Sequence, residues 1–289
     1  MERLLAVAAL TALIHLINTL VYAVRISGVR TQRLATAFSL YNVIFLLATT
    51  ANSVQGFLLA SIVERAIQVA QTETGIYVLE ELVVHAAYQA QLAIIERDIR
   101  FVILAATAGT LLGAALIPVF VNIFNSAIFL FEKVGSVPRM LAIALLSPRR
   151  VAVLLSDMHL PSRNTFKQLR KSRRGIPKLF LVLNFFVTGI YTTGVLSALF
   201  AGALFPDFRT AAATLSAVVN GVATILAATV VDPTAAAITD QALRGERSEA
   251  DIKQMALYLS VTRLLGTVFA QVIFVPAAYL VKYVAALLA

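Results

Sequence analysis

Tyr22-Ala-Val-Arg25-Ile-Ser-Gly28-Val-Arg30-Thr31-Gln-Arg33-Leu34 joins two long apolar runs through a short basic connector, and its reading decides the topology of the chain. Gly28 offers the backbone freedom that a tight turn between helices uses. Arg25, Arg30 and Arg33 suit a connector that faces anionic lipid heads on the cytoplasmic side of a bilayer.

Working outward, the 289 residues are 60% hydrophobic and only 13% charged, with mean hydropathy +0.86, which a soluble domain of that length does not need. The fold class expected is all-α: a polytopic membrane protein with six transmembrane helices, an amphipathic external helical segment and a basic cytoplasmic loop. The spacing of apolar runs sets spans at about 4-24, 34-62, 101-131, 179-205, 210-231 and 255-288, all in one integral membrane domain. The first run lacks a basic leader and a small-residue cleavage site, so it reads as an uncleaved helix. Residues 63-100 carry charges at helical periodicity and read as external helix. Pro118 is expected to kink the third span.

Residues 132-178 form the basic loop, rich in Lys and Arg and holding only Glu132 and Asp157 as acids. Its apolar patches, Met140 to Leu146 and Val151 to Leu155, are too short to cross and read as interfacial helices broken at Pro138, Pro148 and Pro161. With six spans, seventeen Lys and Arg fall on the face of the connector, six on the other, and Arg263 inside a span, which accounts for all 24. Both termini are therefore expected outside. The net charge of +9 sits between apolar runs and points to anionic phospholipids as partners, with no nucleic acid. Cysteine is absent, which excludes disulfides and thiolate metal sites.

Unpaired polar groups are costly in hydrocarbon, so those within the spans should face one another or water. They fall in stripes at helical spacing. His15, Asn18, Thr19 and Tyr22 share a face of the first span; Ser39, Asn42, Thr49, Ser53 and Gly56 share one on the second, flanked by Asn52 and Gln55. Asn184, Thr188 and Thr192 mark the fourth span, Ser216, Asn220 and Thr224 the fifth, and Ser260, Arg263, Gly266 and Thr267 the sixth. A single such stripe serves helix packing as readily as transport. Five, including a histidine and an arginine, favour an internal hydrophilic cavity. Arg263 and Asp232 stand at similar depth, either as a structural ion pair or as ligand groups. Gly109 and Gly113 offer a small-residue face for a homodimer.

No glycine is followed by lysine, so no phosphate-binding P-loop exists, and there is neither a Gly-x-Ser-x-Gly elbow nor a His-Glu-x-x-His pair. His15, His85 and His159 fall in different regions; His85, near Glu80 and Glu81, reads as part of a solvated helix face. No metal or cofactor is expected, and a membrane enzyme ranks below a transporter.

The run from Leu13 through His15, Asn18, Tyr22, Arg25, Gly28, Arg30, Arg33, Ser39 and Asn42 to Ile44, extended by Thr50-Ala-Asn52-Ser-Val-Gln55-Gly56, resembles the Amj (alternate to MurJ) family of bacterial lipid II flippases. That resemblance covers about the first fifth of the chain closely. It implies translocation of an undecaprenyl-pyrophosphate-linked peptidoglycan precursor, lipid II, from the cytoplasmic to the outer leaflet of the bacterial cell (inner) membrane for cell wall biogenesis. Alternating access through a polar cavity would carry the headgroup. Arg25, Arg30, Arg33 and Arg263 would then meet the pyrophosphate, and His15, Asn18, Asn42, Asn52, Asn220 and Asp232 the rest of the headgroup. The first three arginines serve topology setting equally well. The alternative function is a secondary transporter of a small solute or ion.

Overall fold

The computed structural model describes residues 1–146 and 175–288, which are helical with no strand among them. Six helical stretches are long and apolar enough to cross a membrane: Glu2–Thr31, Leu34–Thr74, Ala86–Val134, Lys178–Leu204, Pro206–Leu243 and Glu249–Leu288. They are called spans one to six below. The expected all-α, six-helix membrane architecture is thus the observed one.

The first connector differs in detail from its sequence reading. Helix continues through Val21–Thr31, and the left-handed position that ends it is Gln32 (φ 58°), not Gly28. Gly28 is needed for a different reason. A Cβ there would lie 2.6 Å from Leu34 Cδ1 and 2.9 Å from Leu34 Cα, so its missing side chain lets span two start against the end of span one. The segment expected to be external consists of the ends of spans two and three away from the basic connector, joined by a short helix, Leu79–Val84. His85 caps span three, its Nδ1 accepting from the Ala87 amide at 3.2 Å. Beyond span three, Val137–Leu146 forms a separate helix with Pro138 in its first turn, so this proline starts the helix instead of breaking it. The patch at Val151 to Leu155, the breaks at Pro148 and Pro161, and His159 lie outside the described residues.

Spans one, two and three pack together, and spans four, five and six form a second group in which four and six are the most closely associated. The two groups meet where the end of span one touches span six, where span two touches span four, and most extensively where span three touches span six. There Arg100 Nη1 donates to the Gln271 carbonyl and Gln271 Nε2 donates to the Arg100 carbonyl, each at 2.9 Å. Span five packs mainly on span four; no close packing joins it to span two, but Arg209 of span five pairs with Glu64 of span two at 2.5 Å. One apolar cluster, with Tyr22, Val24, Leu40, Ile252 and Met255, occupies the end that carries the basic connector. A second, with Val7, Leu59, Tyr88, Phe200 and Phe274, fills the opposite end.

Gly109 and Gly113 are not free to join a second copy of the chain. A Cβ on Gly109 would lie 2.6 Å from Ala12 Cα, and one on Gly113 would lie 2.9 Å from both the Leu16 carbonyl oxygen and Thr19 Cβ. Both glycines are buried under span one, so the expected dimer face is a seam inside the monomer.

Candidate substrate cavity

A cavity of about 590 Å³ lies between spans one, two, four, five and six. These are the five helices whose sequences carry polar stripes. Span three, which has none, stays behind span one and contributes nothing to the lining.

Span one supplies Thr11, His15, Asn18, Tyr22 and Arg25, spaced i, i+4, i+7, i+11 and i+14, so one face runs roughly 20 Å along the cavity wall. Thr19 leaves that face. Its hydroxyl donates to the His15 carbonyl at 2.7 Å, and its side chain packs towards Gly113. His15 is fixed by Thr110 on span three, Nδ1 to Oγ1 3.3 Å. Arg25 is 8% exposed; its Nη1 donates to Thr239 Oγ1 at 3.4 Å, and its guanidinium stands 5.2 Å from the centre of the Phe38 ring. A second arginine, Arg263 from span six, also lines the cavity. Its Nε is buried with no hydrogen-bond partner.

The Arg263–Asp232 brace that the sequence allowed is not formed. Both residues line the cavity, yet neither belongs to an ion pair among the described residues. Leaving a buried N–H unsatisfied costs about 1–3 kcal/mol, and more for a charged group. The same cost vanishes when an oxyanion enters. Asn220 presents a comparable vacancy, its Oδ1 buried and unpartnered. It reaches the cavity across Gly194, where a Cβ would stand 2.8 Å from Asn220 Cγ.

Of the remaining residues singled out in the sequence, Asn18 and Asn52 line the cavity, whereas Arg30, Arg33 and Asn42 do not. Arg30 Nη2 meets Glu249 Oε1 at 2.6 Å, and Lys253 shares that carboxylate at 2.8 Å. Arg33 Nε meets Glu132 Oε1 at 2.5 Å. These two arginines tie the end of span one and the start of span two to spans six and three, outside the cavity. Asn42 is exposed on the flank of span two.

Sequence reasoning missed Thr11, Tyr41 and Tyr191 as lining residues. Thr11 was findable, because it continues the His15 stripe by one turn, and Gln55 Nε2 donates to it at 2.8 Å. Tyr191 was findable too, seven residues after Asn184 and three after Thr188 on the same stripe, whereas Tyr41 lies off the stripe quoted for span two. Other polar residues of the stripes act as braces between helices. Asn184 Nδ2 donates to the Leu259 carbonyl at 3.1 Å and to Thr262 Oγ1 at 2.8 Å, and Tyr191 and Thr224 share a hydrogen bond of 2.8 Å. Among the described residues no group of three His, Asp or Glu side chains is placed to hold a metal.

A six-span helical membrane protein whose inner wall gathers two guanidiniums with amides and hydroxyls belongs to the class of polytopic transporters. More narrowly, the chain belongs to the Amj family, described as Alternate to MurJ, whose family model matches residues 10–285. It is 36% identical to "Lipid II flippase Amj" of Bacillus subtilis (strain 168) over 271 residues, which is 94% of this chain and 92% of that protein. No solved structure matches it.

Proposed function

We propose that this chain flips lipid II, carrying its pyrophosphate-linked headgroup across the bilayer through the cavity. The observation that carries this reading is the buried Arg263 Nε, a charged donor left without a partner on a polar wall that also holds Arg25. A pyrophosphate supplies oxygens for both guanidiniums, and a charge-assisted hydrogen bond of that kind contributes about 1.5–3 kcal/mol. The forked donors of arginine match phosphate oxygens better than a point charge does. Asn18, Asn52, Asn220 and His15 offer amide and imidazole partners to the sugars, and Asp232 offers an acceptor to hydroxyl or ammonium donors. A cavity of about 590 Å³ falls in the range of roughly 300–1,000 Å³ usual for sites that enclose small ligands.

In this proposal the end bearing Arg25, Arg30 and Arg33 faces the cytoplasm of a bacterial cell, where anionic phospholipids meet the basic loop. The ion pairs of Arg30 and Arg33 tie the helices together at that end. A cell depleted of its other lipid II flippase tests the whole account: this chain should restore growth, and Arg263→Ala, inserted at normal levels, should not. Growth restored equally well by the variant would remove Arg263 from the mechanism.

A further inference from the structure

Spans two and five both line the cavity; the Arg209–Glu64 ion pair joins them at the end away from the basic connector, and beyond that pair they do not pack closely, so the wall is open between them there. The residues on either side of that opening are unusual for a surface that meets acyl chains. On span two, Asn42, Thr49 and Ser53 are exposed along one flank, next to the lining positions Phe45 and Asn52. On span five, Thr224 and Asp232 are exposed, and a Cβ added at Gly221 would meet nothing within 4 Å. Asp232 also lines the cavity, directly after the apolar run at 210-231. A charged group is costly in hydrocarbon, and a wet opening avoids that cost where a lipid-facing surface does not.

Span five is also built to yield at this level. It is interrupted by a π-helical turn at Ala227–Val231, directly before Asp232 and Pro233, and two of that turn's residues, Ala227 and Val231, line the cavity. Such turns loosen the regular hydrogen-bond ladder and recur at functional sites. The span has one principal packing partner, span four, and its side-chain links to spans two and one are the Arg209–Glu64 pair and the Arg25–Thr239 hydrogen bond.

We infer that the lipid-linked headgroup enters and leaves the cavity sideways, through the seam between spans two and five, while its polyprenyl chain trails outside that seam in the bilayer. This rests on the flippase reading above and adds to it the route and the two helices that bound it. The polar flanks of Asn42, Thr49 and Ser53 on one side and Thr224 and Asp232 on the other keep the headgroup solvated during passage. The apolar edge residues beside them, Leu46 at 64% exposure and Ile225 at 63%, meet the chain.

The test places a photoreactive benzophenone amino acid at Leu46, at Ile225, and at two equally lipid-facing control positions, Leu104 on span three and Val272 on span six, which are 57% and 70% exposed. Each variant is reconstituted with undecaprenyl pyrophosphate and irradiated with and without excess unlabelled lipid. All four sites are lipid-facing, so the variants should fold. The expected result is cross-linking at Leu46 and Ile225 at least about fivefold above the controls, equivalent to ~1 kcal/mol of preferred placement, and lost on competition. Equal cross-linking at all four positions, or enrichment on span three or six, overturns the seam. Stabilisation of the unmodified protein by undecaprenyl pyrophosphate, read as a thermal shift, separates the two failures. A shift with no enrichment at the seam sinks the route alone, and no shift sinks the flippase reading with it.

Discussion

Arg263 and Arg25 differ from Arg30 and Arg33 in what already occupies their charge. The last two are satisfied by Glu249 and Glu132 in partly exposed pairs, and pairs of that kind contribute about 0–1 kcal/mol. The first two face a cavity, and the Nε of Arg263 has no partner at all. Alanine at Arg263 should therefore lower the rate of headgroup translocation in proteoliposomes by about 10- to 100-fold, the equivalent of one lost charge-assisted hydrogen bond. Lysine there should recover only part of it, since a single ammonium does not reproduce the fork. Alanine at Arg30 should change the rate less than about threefold, a few tenths of a kcal/mol. Exchanging the pair as Arg30→Glu with Glu249→Arg should return whatever Arg30→Glu alone removes. A large loss in Arg30→Ala that the exchange fails to repair would place Arg30 on the substrate.

At the scale of helices, close approach is bought by glycine where span three crosses span one. Overfilling a packed site costs about 1–3 kcal/mol. Gly109→Leu, whose Cβ alone meets the Ala12 backbone, should lower the thermal denaturation midpoint in detergent. Gly56→Ala should not lower the midpoint, because nothing lies within 4 Å of its added carbon and alanine is the better helix former. Much of this arrangement was legible in the chain, and the divisions follow physical lines. Apolar run length gave the six spans, and the helical period gave the inward faces of spans one and four, since every unpaired polar group in hydrocarbon must find a partner. What period does not encode is which neighbour a polar face meets. Thr19 sits in the stripe of span one yet turns to Gly113, Gly109 resembles a dimer contact yet is spent internally, and Asn42 flanks the cavity instead of lining it. Gly28 illustrates the same limit: a glycine near a helix end reads as a turn, and only the position of Leu34 reveals a contact.

For the whole molecule, the two groups of three helices leave one side of the shared cavity without close packing beyond the Arg209–Glu64 pair, and the exposed polar residues Asn52, Thr49 and Asp232 lie along it. If that side is wet, these positions should react with water-soluble reagents although they lie within spans. The chain has no cysteine, so single substitutions report without background. Asn52→Cys and Thr49→Cys should be modified by a charged methanethiosulfonate in intact proteoliposomes, whereas Leu104→Cys and Leu111→Cys, both 57% exposed on span three, should resist it, because only the thiolate reacts readily and it forms in water, not among acyl chains. Undecaprenyl pyrophosphate should slow the reaction at Asn52→Cys by filling the cavity that it lines. Modification at Leu104→Cys as fast as at Asn52→Cys would mean that the reagent samples any lipid-facing position, and the polar side of the bundle would then need another explanation for its Asp232.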